Sequence, residues 1–379
     1  MEIIKTLFSI TPDPKYIPFK QLVKGKNLII YGAGGMYDSF NAFVLSRSPN
    51  LKPILVDIKF IDQLTPYQYD PESFFYQLNL NSLGNINKSD LVVICIGNQQ
   101  TSKEIQNIFI KQGFFNVLLA YEIYEYNLIY ASEDFANDSS MHLLKDQDKI
   151  QHAYDLMSDK LSKDTFFKFL KVYLEKKPPD FGISTYETQY MCPDLPLINE
   201  NIRLLNCGAY NGDTLLSLIK HYGKLQLACA LEPDVDNFKK LSTNQLIRIG
   251  CDVLILLPLG ASNRTDISGF DNGNGMISRI SKNLDTGKII QTVKLDQILL
   301  GLNFNKIIID TEGHEKQILE GLSDIIEASH PELCIAAYHD PTDIYELVLT
   351  IHEKYPKYKF YLRNHSSANV DTVLYASVK

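Results

Sequence analysis

Residues Asn206-Cys207-Gly208-Ala209-Tyr210-Asn211-Gly212-Asp213 decide the fold of the second half of this chain. They follow the apolar pair Leu204-Leu205 and precede Leu215-Leu216-Ser217-Leu218-Ile219, whose apolar spacing is helical. A strand, a glycine turn and the start of a helix are therefore predicted. Glycine lets the backbone approach a ligand closely, and the first amides of a helix have no partner within it. A carboxylate or phosphate is the natural ligand of such a turn.

A carboxylate follows the next predicted strand, where the apolar residues 227–231 end at Glu232-Pro233-Asp234. The carboxyl ends of neighbouring parallel strands lie at one edge of a sheet, so Glu232 is expected beside the glycine turn, in reach of both hydroxyls of a ribose. This pair predicts a site for an adenosine-type cofactor. By itself it does not distinguish NAD from S-adenosylmethionine.

Four more motifs follow in a definite order: Thr292-Val293-Lys294-Leu295-Asp296, Asp310-Thr311-Glu312-Gly313-His314-Glu315, Ala337-Tyr338-His339-Asp340 and Val370-Asp371-Thr372-Val373-Leu374-Tyr375. From about Asn201 to Ala376, this order closely resembles the FkbM-type family of S-adenosylmethionine-dependent methyltransferases. The resemblance implies a class I methyltransferase domain with S-adenosylmethionine as its cofactor. It also implies a sheet of seven strands, of which the last is antiparallel.

The cofactor residues implied by the glycine turn, by the acid and by the resemblance are Asn206, Gly208, Ala209, Tyr210, Gly212, Asp213, Glu232, Pro233, Gly260 and Ala261. Family members usually have an acid at position 206, and Asn206 brings no negative charge, so cofactor affinity stays open. Ser278 and Arg279 are further candidate ligand contacts, although Asn272-Gly273 beside them is also a strong hairpin-turn signal.

The candidate catalytic residues are His339, Asp310, Glu312 and His365, which follow three different predicted strands. Methyl transfer to a hydroxyl needs a proton acceptor close to the reacting atoms. His339 is the first choice, because a reference pKa of about 6.5 would leave its ring neutral near pH 7, although it could instead cap the helix predicted near Pro341. Asp310 either orients that histidine or is the base itself. His365 lies in a serine-rich turn and is expected to be exposed.

Two neighbouring features leave alternatives open. The family usually has alanine where this chain has His314, which is either catalytic or a substituted residue at a helix start. Asp310, Glu312 and His339 offer ligand types that suit Mg²⁺. Neither His-x-His spacing nor clustered acids support a metal, so the sequence assigns no metal ligand.

The first domain, residues 1–140, is predicted to be Rossmann-like as well, with strands at 26–31, 53–56, 90–96 and 116–120 and a helix at 102–112. Gly32-Ala33-Gly34 follows the first strand, but Tyr37 replaces the third glycine of a dinucleotide fingerprint. Asp57 has the separation of a ribose acid. This domain either binds a nucleotide or nucleotide-sugar, or serves in docking or dimerisation.

Residues 141–182 are predicted to connect the domains as two amphipathic helices, interrupted near 158–162 and ended by Pro178-Pro179. They either cover the second core or form a rigid connector. In the methyltransferase domain, residues 183–379, strands are expected at 203–207, 226–231, 253–257, 306–309, 332–337, 357–362 and 372–377. Helices should begin near Asp213, Asp234, Gly313 and Pro341. The last two strands are too close in sequence for a crossover and should pair antiparallel.

Composition excludes several functions. A net charge of −8 without basic clusters argues against nucleic acid as a partner. No apolar run approaches roughly 20 residues and no signal-peptide core is visible, so a cytoplasmic protein without a membrane span is expected. The six single cysteines are expected to be reduced and mostly buried, with Cys207 near a ligand.

The sequence thus predicts an α/β protein with two Rossmann-like domains and a helical connector. Its expected activity is S-adenosylmethionine-dependent O-methylation of a sugar, a glycan precursor or a similar small molecule. A homodimer is one of the assemblies left open. One alternative is a non-catalytic sugar-nucleotide-binding protein whose cofactor site has lapsed at Asn206. A second is an NAD-dependent oxidoreductase built on the first domain.

Overall fold

The structure is a computed structural model that describes residues 2–32, 35–46, 50–56, 86–128, 130–132, 134–135, 138–182, 185–271, 279–281 and 288–379. Six residues discussed above, Ala33, Gly34, Asp57, Asn272, Gly273 and Ser278, lie outside these ranges. The interpretations that rest on them, including the ribose acid of the first domain and the turn at 272–278, therefore stay predictions.

The first sheet has four parallel strands: β1 (Leu28–Tyr31), β2 (Ile54–Val56), β3 (Leu91–Ile94) and β4 (Val117–Leu119). Their spatial order is β2-β1-β3-β4, which is the beginning of the doubly wound order 2-1-3-4-5. The helix Gln99–Lys111 connects β3 to β4, and the Asn98 side chain caps it by accepting a bond from the Thr101 amide at 2.9 Å. The predicted parallel sheet is confirmed.

The second sheet has seven strands: β5 (Arg203–Cys207), β6 (Leu225–Leu231), β7 (Cys251–Leu257), β12 (Lys306–Ile309), β13 (Glu332–Ala336), β14 (Lys359–Asn364) and β15 (Thr372–Ser377). Its order is β14-β15-β13-β12-β5-β6-β7. The last strand, β15, is antiparallel to both of its neighbours, whereas the other pairings are parallel. The predicted methyltransferase sheet and its terminal hairpin are confirmed.

A third, smaller sheet was missed by the sequence analysis. It contains β8 (Gly260–Ser262), β9 (Asp266–Asp271), β10 (Arg279–Ser281) and β11 (Lys288–Lys294), in the order β10-β9-β11-β8. β8 and β10 have three residues each, too few to show an alternating pattern. This sheet places Gly260 and Ala261 beyond the end of β7.

The α-helices of the described residues are Glu2–Phe8, Phe19–Leu22, Gly35–Phe40, Gln99–Lys111, Ser139–Lys145, Gln147–Leu156, Lys160–Glu175, Asp213–Tyr222, Val235–Thr243, Gln245–Ile249, Asp296–Leu299, Glu315–Gly321, Ser323–Ser329 and Asp343–Lys354. A π-helix at Asn41–Leu45 extends the third of them. Within these ranges, no helix has the length and apolar character needed to cross a lipid bilayer. The four predicted helix starts of the second domain agree within two residues.

Of the two connector helices, Lys160–Glu175 packs against β14 of the second sheet, and Gln147–Leu156 packs against the helix Asp343–Lys354 that covers the sheet. Phe166 and Phe169 are fully buried in the same apolar cluster as Leu362 of β14. The Leu362 amide donates to the Ser162 hydroxyl at 2.9 Å, which links the connector to the sheet edge. Of the two roles considered for the connector, the structure therefore shows that it covers the core.

The two halves of the chain also meet at the loop between β14 and β15. Ala368 of that loop is buried in the core of the first domain beside Phe40, and the Asn369 amide donates to the Asn127 side chain at 2.9 Å. The N-terminal helix Glu2–Phe8 packs its Ile3 and Leu7 against the connector cluster. Contacts that span more than 200 residues of sequence thus hold the first domain against the second sheet.

One ion pair is buried inside the second sheet. Lys306 on β12 and Glu332 on β13 lie opposite each other, and both side chains are almost inaccessible to solvent. Glu332 also accepts from the Ile198 amide at 2.7 Å. Because a buried carboxylate without a counter-charge is costly, the two residues depend on each other.

We expect Lys306→Met to lower the free energy of unfolding by about 3 to 5 kcal/mol, since it leaves Glu332 buried without a cation. The double variant Lys306→Met/Glu332→Gln should recover most of that loss. Urea denaturation followed by circular dichroism measures both. Equal stability of the single and the double variant would contradict this account.

Candidate active site

The glycine turn after β5 is shaped by close contact with β12. Gly208 has φ 84°, and a Cβ built there would lie 1.8 Å from the Asp310 carbonyl oxygen, so only glycine fits. Gly212 has φ 92°, and its Cβ would lie 2.4 Å from a methyl carbon of Ile247. The turn therefore brings the Asp310 segment into contact with the start of the helix Asp213–Tyr222.

Glu232 holds this turn from the side. It is 6% exposed, and its carboxylate accepts from the Tyr210 amide and from the Asp234 amide, each at 2.8 Å. Burial raises the pKa of Glu232 to about 7, although the two backbone donors act in the opposite direction. Each oxygen keeps a second lone pair for a ligand hydroxyl.

A cavity of about 250 Å³ lies next to the turn and to Glu232. Seven of the ten predicted cofactor residues line it: Gly208, Tyr210, Asp213, Glu232, Pro233, Gly260 and Ala261. The same cavity is lined by Asp310, Glu312 and by four residues to which the sequence analysis gave no role: Gln189, Tyr190, Phe270 and Asp371. The structure thus joins the predicted cofactor residues and two of the predicted catalytic acids in one space.

Three predicted cofactor residues are not among the described residues of this lining: Asn206, Ala209 and Gly212. Asn206 is 1% exposed, and neither atom of its amide has a hydrogen-bond partner among the residues that the structure describes. Cys207 is fully buried in the apolar core and likewise does not belong to the described lining, which contradicts its expected place near a ligand. All six cysteines are buried and free, as predicted.

His339 follows β13 and is surrounded by carboxylates. Its Nδ1 lies 2.9 Å from Glu315 Oε1, and its Nε2 lies 3.5 Å from Asp310 Oδ1 and 3.6 Å from Glu312 Oε2. Burial alone would lower the pKa of this ring, but the three acids raise it to about 10. These acids therefore favour a proton on the ring. The role of His339 as general base stays a prediction, and the sequence did not show how many acids meet around it.

Glu315 is the first residue of its helix and the link between the acid loop and His339. One of its oxygens, Oε1, accepts from the Thr311 amide at 2.9 Å and from the Gly313 amide at 3.3 Å, besides its contact with His339. Burial alone would raise the pKa of Glu315, but His339 and the backbone donors lower it to about 2. The motif contained this residue, yet no local signal distinguished it from an ordinary acid at a helix start.

Two further acids of the cavity are held in an apolar environment. Burial raises the pKa of Glu312 to about 7 against the opposing effect of His339, and burial together with Asp310 raises that of Asp371 to about 7. The Tyr190 hydroxyl donates to Asp310 Oδ2 at 2.6 Å. Tyr190 precedes the first strand of the domain in an irregular segment, so sequence periodicity could not identify it.

Two tyrosine rings enclose the His339 imidazole. The ring of Tyr338 lies 4.2 Å and that of Tyr130 lies 4.8 Å from it, centroid to centroid. The Tyr130 hydroxyl also hydrogen-bonds to Glu312. Tyr130 belongs to the first 140 residues, so the N-terminal half contributes a side chain to the site.

His365 and His314 occupy other positions. His365 is fully buried, with Nδ1 3.0 Å from the Thr185 hydroxyl and Nε2 2.8 Å from the Tyr375 hydroxyl, so the prediction of exposure was wrong. It is not among the described residues that line the cavity. His314 precedes the helix Glu315–Gly321 and contacts the Ser262 hydroxyl at 3.0 Å, as expected for a substituted helix-start residue. Arg279 lies on β10.

Comparisons with known proteins agree with this geometry. A family model described as the methyltransferase FkbM domain matches residues 206–360. The crystal structure of methyltransferase FkbM from Methylobacillus flagellatus KT superposes with a TM-score of 0.63 at 18% identity, over 99% of this chain and 97% of that chain. At this identity the likeness establishes the fold alone, and it does so for both halves of the chain.

Two other solved structures match more weakly. A fibrillarin/Nop5p complex gives a TM-score of 0.32 at 15% identity over 51% of this chain and 80% of that chain. Fibrillarin from Aeropyrum pernix with natively bound S-adenosyl-L-methionine gives 0.30 at 13% identity, over 49% and 70%. Such TM-scores support no conclusion about this chain. The comparison with curated protein sequences found no match.

The buried position of His365 predicts a pH dependence of stability. Burial lowers its pKa to about 4, whereas an unfolded histidine titrates near 6.5. Between these two pH values the unfolded state binds more protons than the folded state. The contribution of His365 to the free energy of unfolding is therefore complete above pH 6.5 and is lost as the pH falls to 4. Through this effect the free energy of unfolding should fall by up to about 3 kcal/mol.

His365→Gln should therefore remove part of the decrease in stability between pH 6.5 and pH 4. Urea midpoints of the wild type and the variant, measured at half-unit steps of pH, test this. Parallel curves for the two proteins would show that the ring is not held neutral in the fold.

Proposed function

We propose that this chain, which belongs to the FkbM-type methyltransferase family, is an S-adenosylmethionine-dependent O-methyltransferase whose acceptor is a hydroxyl of a sugar or glycan precursor. The observation that carries the proposal is the single cavity lined both by the Gly208 turn with Glu232 and by the acids Asp310, Glu312 and Asp371. Residues suited to binding a nucleoside and residues suited to accepting a proton therefore line the same cavity.

The residues present fit S-adenosylmethionine. Glu232 offers one free lone pair on each oxygen to the ribose hydroxyls, and Gly208 leaves the backbone open where any Cβ would collide with Asp310. Gly260 and Ala261 are small residues that leave room for an adenine ring. Asn206 lies below the turn with an unsatisfied buried amide among the described residues, and such a group requires a polar partner.

The chemistry sets what the protein must supply. When bound, S-adenosylmethionine supplies a methyl group whose bond to sulfur breaks, with the electron pair going to sulfur, as an acceptor oxygen forms its new bond to carbon. The chain's own residues must orient the acceptor and take its hydroxyl proton. Aligning two reactants is by itself a large part of such a rate enhancement.

Asp371 is the group that we assign as proton acceptor. It lines the cavity directly, and its pKa of about 7 suits a base that works near neutral pH. His339 has no exposed surface, and its Nε2 lies 3.5 Å from Asp310 Oδ1 and 3.6 Å from Glu312 Oε2, so it serves to position these two acids. Asp310 and Glu312 remain candidates for direct contact with the acceptor.

The polar lining favours an acceptor with several hydroxyl groups. Asp213, Asp310, Glu312 and Asp371 are acceptors of hydrogen bonds, and the neighbouring Gln189 and Asn237 accept and donate. Sugar hydroxyls can donate to all of these groups, whereas a phosphate at the same place would meet several carboxylates of like charge. Any phosphate of a glycan precursor would therefore lie outside this part of the cavity.

Both alternatives from the sequence analysis make different predictions for cofactor binding. A lapsed site would not bind S-adenosylmethionine, and an oxidoreductase of the first domain would bind a nicotinamide cofactor there. In the first domain, a Cβ at Gly32 would lie 2.6 Å from the Cys95 carbonyl oxygen, so packing explains this glycine without a ligand. Calorimetry with S-adenosylmethionine and with NAD separates the three.

Glu232→Ala should abolish binding of S-adenosylmethionine and S-adenosylhomocysteine, because it removes the carboxylate that orients the turn and the ribose. We expect micromolar binding to the wild type and at least a hundredfold weaker binding to the variant in isothermal titration calorimetry. Asp236→Ala is the matched control, since this exposed acid lies near the same strand end outside the described cavity lining. Unchanged affinity in Glu232→Ala would refute the assignment.

Asp371→Asn should lower kcat by roughly a hundredfold or more while leaving the affinity for S-adenosylmethionine within about threefold. Asn suits this position, since residue 371 has φ 54°, a conformation that asparagine tolerates well. Formation of S-adenosylhomocysteine, followed with the sugar acceptor that supports turnover in a screen, measures the rate. A variant with wild-type kcat would show that another group takes the proton.

A further inference from the structure

Two carboxylate oxygens lie near one imidazole nitrogen beside the cavity, and neither is within hydrogen-bonding distance of it. His339 Nε2 lies 3.5 Å from Asp310 Oδ1 and 3.6 Å from Glu312 Oε2. Neither Nε2 nor Glu312 Oε2 has a hydrogen-bond partner in the described part of the chain, although the imidazole has no exposed surface. A buried imidazole nitrogen without a hydrogen bond needs a partner of another kind.

The outer contacts of these groups are those typical of metal ligands. The other ring nitrogen, Nδ1, contacts Glu315 at 2.9 Å, which directs Nε2 towards Asp310 and Glu312. Asp310 in turn accepts from the Tyr190 hydroxyl through its second oxygen at 2.6 Å. Histidines and carboxylates that bind metals are commonly held in place by such second hydrogen bonds.

The charges around His339 also indicate a missing cation. Asp310, Glu312 and Glu315 all face this one ring, and Asp371 lies close enough to influence it. Among the ion pairs of the described residues, His339 is the only cationic partner of these acids. A divalent ion at this place would stabilise the charged form of these buried carboxylates.

We propose that Asp310, Glu312 and His339 bind a divalent cation through Oδ1, Oε2 and Nε2. Metal binding needs the lone pair of Nε2, so the ion would displace the proton that the surrounding acids otherwise favour there. Two donors at about 2.1 Å from one ion, with an angle near 115° between them, are about 3.5 Å apart, in agreement with both separations. Two carboxylates and one imidazole suit Mn²⁺, Fe²⁺, Zn²⁺ or Mg²⁺. This inference rests on the proposed function, because the open positions of the ion would bind the acceptor oxygen, whose proton passes to Asp371.

A proton on Nε2 is the competing explanation. It would balance one of the negative charges, but a charge-assisted hydrogen bond would draw one carboxylate oxygen to about 2.7–2.9 Å. The two carboxylates instead lie at nearly equal and longer distances from the nitrogen. Two nearly equal distances are expected if the nitrogen and both carboxylates bind one ion. They are not expected if Nε2 donates one hydrogen bond to one carboxylate.

The full chain, dialysed against EDTA and then against metal-free buffer, should bind Mn²⁺ at one site in calorimetry and in a titration of the free-ion EPR signal. Asp310→Asn and His339→Gln should weaken binding by at least thirtyfold. Glu320→Gln is the matched control, because Glu320 is an exposed acid of the helix that begins with Glu315, and its affinity should equal that of the wild type. Pulsed EPR should detect the nitrogen of His339 on the bound Mn²⁺ of the wild type.

Two conservative variants separate an effect on metal binding from loss of folding. Tyr190→Phe and Glu315→Gln keep the three ligands and should weaken Mn²⁺ binding by about tenfold or more. Absence of Mn²⁺, Mg²⁺ and Zn²⁺ binding by the wild type would overturn the inference. Binding that both ligand variants retain, or a bound ion without nitrogen coupling, would do the same.

The proposed function and this inference can fail separately. Glu232→Ala should lose S-adenosylmethionine and keep Mn²⁺. A wild-type protein that binds Mn²⁺ at His339 but no S-adenosylmethionine would refute the methyltransferase proposal alone. One that binds S-adenosylmethionine but no divalent ion would refute the cation site alone.

Discussion

The buried carboxylate of Glu315 connects the parts of the site. It accepts hydrogen bonds from the backbone of the loop 311–313 and contacts Nδ1 of His339, so it joins the ends of β12 and β13. A carboxylate with several such donors stays ionised in the interior. Because it is ionised and fixed, the imidazole has one orientation, and Nε2 faces Asp310 and Glu312. The arrangement of His339, Asp310 and Glu312 therefore depends on the contact between Glu315 and His339.

Close backbone packing forms the cofactor-binding side of the same edge of the second sheet. Gly208 allows the turn after β5 to touch the Asp310 carbonyl, and Glu232 holds the turn through the Tyr210 amide. The neighbouring strands of a parallel sheet therefore present a nucleoside-binding acid and a cluster of reactive acids at one edge. A side chain at position 208 would separate these two groups and thereby divide the cavity.

The first domain is part of this arrangement, because Tyr130 packs against His339 and bonds to Glu312. The loop between β14 and β15, which precedes Asp371, is anchored in the core of the first domain through Ala368. Two of the groups around the cavity thus depend on contacts between the halves of the chain. The shared fold with the Methylobacillus flagellatus structure, over almost the full length of both chains, shows that this two-part architecture is not peculiar to this chain.

The sequence by itself determined the two parallel sheets, the terminal hairpin, the connector helices, and Glu232, Asp310 and Glu312 as acids that follow strands. The first sheet, the hairpin, the connector helices and the acids follow from local periodicity, from the spacing of the last two strands and from the rule that parallel strands end at one edge, whereas the seven-strand sheet was implied by the family resemblance. Only the tertiary structure decided that three acids surround His339, that His365 is buried, and that Tyr130, Tyr190 and Asp371 reach the site. The physical reason is that protonation and ligand geometry depend on all groups within a few ångströms, and here those groups come from five distant segments of the chain.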